Sequence, residues 1–343
     1  MAQTQRLMAG AATAADLERL VIRPYAGHAD LPEIVRVANA DMALDGVRVV
    51  FTLDDLAPTY RTPSASFDAA RDVLMAELDG VIVGTIRVDW VDNTDGTREY
   101  RSRGHVDAPW RRRGIGRRLL AAADGLIRER AAEHETHRPR VQGMWADDRQ
   151  AGRKALAESA GYTAVRWFFE MERQRIDVDR PEILPMPDGL EVRPVTVEDA
   201  PAIWAADHDA FRDHWGGWDD SEAALRRWVE SPEFQPDLYL VAYDGDEIAG
   251  AVLNGILAEE NEKLGLRRGW LDSVFTRRAW RGRGLARALI GRSVHLLAER
   301  GMDTAALGVD ADNPSGALGL YRSCGFEVVD GGAAWRKPLE VTR

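Results

Sequence analysis

Two short stretches combine arginine and glycine at a spacing that suits anion binding: RGRGLA at Arg281–Ala286 and RRRGIG at Arg111–Gly116. In each, an arginine is followed three residues later by glycine (Gly114, Gly284) and, two residues further on, by Gly116 or Ala286. Beyond the first loop, Leu119, Leu120, Ala123, Leu126 and Ile127 fall at helical spacing; Leu289, Ile290, Ser293, Leu296 and Leu297 take the equivalent places after the second. A loop that feeds a helix leaves N–H groups without intrahelical acceptors at the positive end of the helix dipole. Glycine there admits backbone conformations and close approaches barred to other residues. The chemistry on offer is capture of an anion such as phosphate. The pattern is neither the Gly-Lys-Ser/Thr loop of triphosphate binders nor the dinucleotide fingerprint G-x-G-x-x-G.

The elements that must position these loops occur twice. Arg23 in IRP and Arg193 in VRP are 170 residues apart, as are Gly114 and Gly284. Each half carries a hairpin signal, Asp79-Gly80 within Val73–Trp90 and Asp244-Gly245 within Leu238–Leu257, where glycine accepts the positive φ of a tight turn. Each half then runs into a helix closed by glycine and followed by a strand, AESAGYTAV and YRSCGFEVV. Between the halves, Asp177–Gly189 holds three prolines and reads as a linker. Both halves therefore read as strand, helices, hairpin, strand, loop, helix, strand, helix, strand. The expected organisation is an N-terminal flexible segment 1–18, a first α/β domain at 19–176, the linker at 177–189 and a second domain at 190–343.

Bulk properties narrow the function. The 343 residues carry 45 Lys+Arg against 56 Asp+Glu, a net charge of −11, which weighs against a nucleic-acid partner. Cys324 is the single cysteine, so no intrachain disulfide forms. No apolar run approaches the roughly 18 residues of a membrane span, and the alanine-rich N-terminus lacks a signal-peptide core. The expectation is a cytoplasmic chain, monomeric or homodimeric, with no membrane partner, no nucleic acid and no metal.

The two loops resemble the Q/R-x-x-G-x-G/A signature of the GCN5-related N-acetyltransferase (GNAT) superfamily, and LGVDADNPSGALGLYRSCGF at Leu307–Phe326 resembles its later motif N-x-x-(A/G)-x-x-L-Y-x-x-x-G-F. The tandem layout, with the fuller motif in the second half, is similar to mycothiol synthase and its relatives. The resemblance implies two tandem GNAT-like domains of α/β (α+β sandwich) class, each a mixed, mostly antiparallel sheet flanked by helices. It implies acetyl-coenzyme A as co-substrate, with its pyrophosphate on the loop residues Arg281, Gly282, Arg283, Gly284, Leu285, Ala286 and Arg287. By motif position Val274, Phe275 and Thr276 offer backbone groups to the acetyl carbonyl and the pantetheine arm, Asn313 lies near that arm, and Tyr321 lies near the thiol sulfur. A phenol with pKa about 10 stays protonated and can supply a proton to a leaving thiolate.

The first half departs from this pattern. Aligning Gly161 with Gly325 sets Arg149 opposite Asn313 and Ala157 opposite Tyr321, and the strand REYRSRGHV is far more polar than its counterpart RGWLDSVFT. Arg111, Arg113, Gly114, Ile115 and Gly116, with Gly104, His105 and Val106, are its candidate coenzyme residues, in a domain expected to be degenerate. Catalysis is expected in the second half, by direct attack of a small-molecule amine. An alkylamine is largely protonated at pH 7, so a base is required, with Asp272 and His214 the candidates. Ala206–Trp218, ADHDAFRDHWGGW, is where the family lines its acceptor pocket, and its carboxylates beside aromatics could receive a cationic amine. Cys324, one residue before a helix-closing glycine, reads as packing rather than as a nucleophile. A non-catalytic acyl-CoA-binding regulatory protein is the alternative function.

Overall fold

In a computed structural model of the chain, residues 18–313 and 316–340 are described. The flexible N-terminal segment expected from the sequence falls, apart from Glu18, outside them. The chain forms two compact units, Met1–Val165 with Ala334–Arg343, and Arg166–Ala333. The sequence placed the division at the proline-rich linker, 177–189; the structure divides within two strands instead, each begun in one unit and ended in the other.

In chain order the first unit holds β1 (Val21–Pro24), α1 (Leu31–Asp45), α2 (Leu53–Arg61), α3 (Ala69–Asp72), β2 (Val73–Leu78), β3 (Val81–Asp92), β4 (Arg98–Val106), α4 (Ile115–Glu133), β5 (Arg140–Asp147), α5 (Ala151–Ser159) and the start of β6 (Thr163–Gln174). The second holds the rest of β6, then β7 (Leu190–Arg193), α6 (Ala200–Phe211), α7 (Glu222–Val229), β8 (Leu240–Asp244), β9 (Glu247–Gly255), α8 (Ala258–Leu264), β10 (Arg268–Thr276), α9 (Leu285–Glu299), β11 (Thr304–Asp310), α10 (Ala317–Ser323) and most of β12 (Glu327–Pro338). Strand order is β1-β2-β3-β4-β5-β12 in the first unit and β6-β11-β10-β9-β8-β7 in the second. The sheets are mixed and mostly antiparallel, with parallel pairs at β4/β5 and β10/β11.

Helices cover both faces of the second sheet. Leu285, Leu289, Val294 and Leu297 of α9 pack with Leu271, Val252, Ala305 and Leu307 on one face. Ile203, Ala206 and Ala210 of α6 pack with Val241, Ala251, Leu253 and Phe275 on the other. The loss of apolar surface to water on both faces is what fixes the sheet between them.

Two details differ from the sequence expectation. The first hairpin turns on Asp79 and Gly80, both at positive φ, as expected, but the second turns on Gly245-Asp246. Asp244 stays in the ladder opposite Glu247, and its carboxylate accepts from Trp280 Nε1 at 2.8 Å. Residues 177–189 form no helix or strand but are laid along α9: Arg292 Nη1 donates to the Leu184 carbonyl and His295 Nε2 lies 2.8 Å from that of Pro181.

Candidate active site

Strands β10 and β11 pair only from Arg268 to Trp270, while β10 continues against β9 as far as Thr276. The edge of β10 beyond Trp270 is therefore left open, and α9 begins at this gap. Gly284 caps α9 in the left-handed region at φ 86°, preceded by Gly282 at 75°. A Cβ built on either meets nothing within 4 Å, so the loop surrounds open space. Free helix-start amides around such space suit a pyrophosphate.

The recess here is lined by Val274, Phe275, Thr276, Arg281, Gly282, Gly284, Leu285, Ala286, Arg287, His214 and Tyr321, among others. Of the second-half residues singled out in the sequence, Arg283 and Asn313 do not line it, and Asp272 lines a different recess. Arg281 donates to the carbonyls of Thr276 at 3.1 Å and Ala210 at 2.9 Å, so its guanidinium ties the end of α6 to the loop. Tyr321 is 7% exposed, and burial pushes its hydroxyl up to about 12. It is thus a phenol that stays protonated and faces the recess. His214 packs edge-on against Phe211, and burial holds its imidazole below the usual range. Cys324 is buried in the apolar core, which raises its thiol pKa and disfavours the thiolate a nucleophile needs.

Nearer the middle of α6, whose end at Ala210 and Phe211 borders the first recess, β10 contributes to a second recess. Leu271 pairs with Asn254 and Ser273 with Leu253, leaving Asp272 as the extra residue of a β-bulge. A bulge re-aims a side chain and is common beside active sites. Asp272 lines this recess with Asp207, Glu233, Ser273, Trp204, Trp228 and Tyr239. Its carboxyl is open to solvent yet surrounded by protein, and desolvation with the nearby Glu233 and Glu260 charges pushes it up to about 7. Asp207 receives the Ser273 hydroxyl at 2.5 Å, and its pKa too is raised by desolvation. Gly255 was missed from the sequence: a Cβ there would collide with the Asp272 carboxylate, so this glycine makes room for it. A bulge has no signature in one sequence, which is why this geometry could not be foreseen.

Two family comparisons match this architecture. Residues 201–326 match the "Acetyltransferase (GNAT) family" and residues 69–164 the "Acetyltransferase (GNAT) domain". A mycothiol acetyltransferase from Clavibacter michiganensis subsp. michiganensis is 30% identical over 309 residues, 86% of this chain and 92% of that protein. The chain belongs to the GNAT acetyltransferases. A mycothiol acetyltransferase from Geodermatophilus obscurus is 28% identical across 96% of this GNAT chain and 99% of its own length. Two solved structures show the tandem GNAT fold alone: a GCN5-related N-acetyltransferase from Sphaerobacter thermophilus (TM-score 0.66, 24% identical, 95% of this chain and 99% of that one) and a tandem GNAT protein from the clavulanic acid biosynthesis pathway (TM-score 0.67, 18% identical, 94% and 100%). The protein is an acetyltransferase enzyme, and GNAT acetyltransferases use acetyl-coenzyme A as co-substrate. Among the described residues no cluster of His, Cys, Asp and Glu is placed to hold a metal, and no helix is long and apolar enough to cross a membrane.

The first GNAT unit keeps the loop but rebuilds the recess. Gly114 caps α4 at φ 85°, yet Arg112, not glycine, occupies the left-handed position that Gly282 holds in the second loop. Gly104, His105, Val106, Arg111 and Gly116 line the recess, whereas the Ile115 side chain is buried in the core and Arg113 lies over the Trp110 ring. Buried Asp41 sits 3.0 Å from both His105 Nδ1 and Arg153 Nη2, and Arg111 pairs with Asp45 at 2.7 Å. Arg153 also donates to the Gly104 carbonyl at 2.8 Å, occupying a backbone acceptor on the open edge of β4. Ala157, opposite Tyr321, is fully buried and offers no proton.

Proposed function

We propose that the second unit transfers the acetyl group of acetyl-coenzyme A to the amine of a small molecule, by direct attack. The observation that carries this is β10: its bulge turns Asp272 into one recess, while Val274–Thr276 and Tyr321 line the other. Acetyl-coenzyme A supplies the acetyl group as a thioester, whose C–S bond breaks as the acceptor's N–C bond forms. The loop from Arg281 to Arg287, capped by Gly284, holds the pyrophosphate, and the open edge of β10 aligns the arm. Asp272 takes the proton that the amine gives up, because a carboxyl poised near 7 is half-ionised at neutral pH. Tyr321 returns a proton to the departing sulfur. His214 shapes the coenzyme recess rather than serving as base.

The mycothiol acetyltransferase relatives supply a specific first acceptor, a mycothiol-type amine, and the chain's coverage of their full length supports that comparison. The test is release of free thiol from acetyl-coenzyme A in the presence of amines, with the acetylated amine identified by mass spectrometry. Amine-dependent release that is lost in Asp272→Asn and Tyr321→Phe supports the assignment; release unaffected by both removes it.

A further inference from the structure

The polar strand β4 of the first unit carries a charge arrangement that the fold does not require. Antiparallel pairing sets Arg87 of β3 directly opposite Arg103 of β4, and Asp89 opposite Arg101. Like charges that face each other across a ladder destabilise a sheet. Among the described residues, Asp89 is the one carboxylate paired with these arginines. Arg101 donates to it at 2.5 Å, while Arg103 and Arg87 stand at 3.5 Å and 3.8 Å. The other carboxylates of these strands are matched elsewhere, Asp92 by Arg98 at 2.7 Å and Glu99 by Arg336 at 2.6 Å. Three guanidiniums against one carboxylate leave two positive charges in surplus. Asp89 attracts Arg103, yet burial and the charges of Arg87 and Arg101 lower its guanidinium to about 10.

A local conflict kept in an otherwise consistent fold marks a functional place. The three side chains can be reached from solvent: Arg87, Arg101 and Arg103 are 20%, 29% and 42% exposed. Their position also corresponds to a lining position of the second unit. Counted back from Gly84↔Val106 and Gly250↔Thr276, the pair Arg87↔Arg103 takes the place of Leu253↔Ser273, both of which line the second recess. The Phe67 ring lies 5.4 Å from the Arg87 guanidinium, and the Tyr60 hydroxyl faces it. We propose that this face of the first unit binds a phosphate group, free or as the monoester of a small molecule. The guanidiniums converge on one point, and a phosphate concentrates nearly two negative charges and several acceptor oxygens on one centre. A dicarboxylate spreads its charge over two. Phosphate lying between Arg87 and Arg103 turns opposed charges into joint donors, for which the forked guanidinium is suited.

The test is isothermal titration calorimetry of the full chain, saturated with acetyl-coenzyme A to occupy the loop at Gly284, in phosphate-free buffer. Glycerol 3-phosphate, inorganic phosphate and succinate are the probes. One phosphate probe should bind per chain, about 10-fold or more tighter than succinate. Arg103→Gln and Arg87→Gln should each weaken it by about 10-fold or more, the size of one charge-assisted contact. Tighter binding of the ester supports an ester as the occupant, and tighter binding of inorganic phosphate supports the free ion. Arg103→Gln removes a like-charge contact, so it should melt no lower than the parent chain, which separates a lost ligand contact from lost folding. Binding of neither phosphate probe, or succinate binding as tightly, overturns the proposal. So does binding that is lost in Gly114→Asp but kept in Arg103→Gln, which would place the anion on the first loop instead.

Discussion

In the proposed mechanism two side chains are pushed by their surroundings toward opposite tasks. Asp272 is held near neutrality by the crowded recess and by Glu233 and Glu260, so it can accept a proton at physiological pH. Tyr321 is buried, is pushed to about 12, and can only donate. As the proposed base, Asp272 is protonated below about 7, so turnover should fall as pH drops through that value. Asp272→Asn should lower kcat by roughly 10²–10⁴-fold and abolish that limb, which a pH–rate profile of both proteins will show. Tyr321→Phe should lower kcat by roughly 10–10³-fold with coenzyme affinity nearly unchanged, read from initial rates and a coenzyme titration. Gly255→Ala is a subtler probe. The new methyl displaces the Asp272 carboxylate, so kcat should fall while coenzyme binding stays normal.

At the level of elements, the two loops look alike in sequence and differ in what surrounds them. Arg281 braces its loop through backbone carbonyls, whereas Arg111 is drawn to Asp45, and Arg153 sits on the Gly104 carbonyl. Two carboxylates beside a phosphate cradle oppose an anionic ligand, and a guanidinium on the strand edge competes with a coenzyme arm. The expected stoichiometry is therefore one acetyl-coenzyme A per chain, counted by native mass spectrometry. Gly284→Asp should abolish it, because the side chain projects into open space at a backbone that favours glycine, and Gly114→Asp should not. Helices, hairpins and loops were legible because their signals are local: periodic apolar residues, Asp-Gly turns, a glycine before a helix. The Asp41–His105–Arg153 cluster was not, since its members lie 48 to 112 residues apart and none has a local pattern that announces the others. The polar strand β4 shows the same limit. Its Glu99 is buried because Arg336, 237 residues away, donates to it at 2.6 Å.

That long-range pair belongs to how the whole chain is divided. The duplication is plain in the sequence, but the units exchange strands: residues 166–174 complete the second sheet, and Ala334–Pro338 belong to the first. A cut at the proline-rich segment, where the sequence suggests one, would strip the second unit of β6. Seven register pairs from Phe168↔Asp310 to Gln174↔Thr304 would be lost. So would the paired hydrogen bonds from Arg166 to Asp310 and the contacts of Glu170 and Glu172 with Arg268, which is 1% exposed. Arg268 would keep Glu260 at 2.9 Å but lose two carboxylate partners, and breaking up a buried ion network costs up to about 3–5 kcal/mol, a large share of the stability of a domain this size. A fragment spanning 177–343 should accordingly fail to melt cooperatively, while one spanning 163–333 should melt as a unit and bind acetyl-coenzyme A. Circular dichroism melts and a coenzyme titration of the two fragments decide this. Arg336→Ala carries the reciprocal case to the intact chain: it removes the guanidinium from buried Glu99, which keeps the Asn93 amide at 2.9 Å, so the first unit should lose up to about 3–5 kcal/mol while the second keeps its coenzyme affinity. A variant that instead abolished coenzyme binding would mean that the second unit depends on the first for its fold, and that the duplication had ceased to be two separable domains.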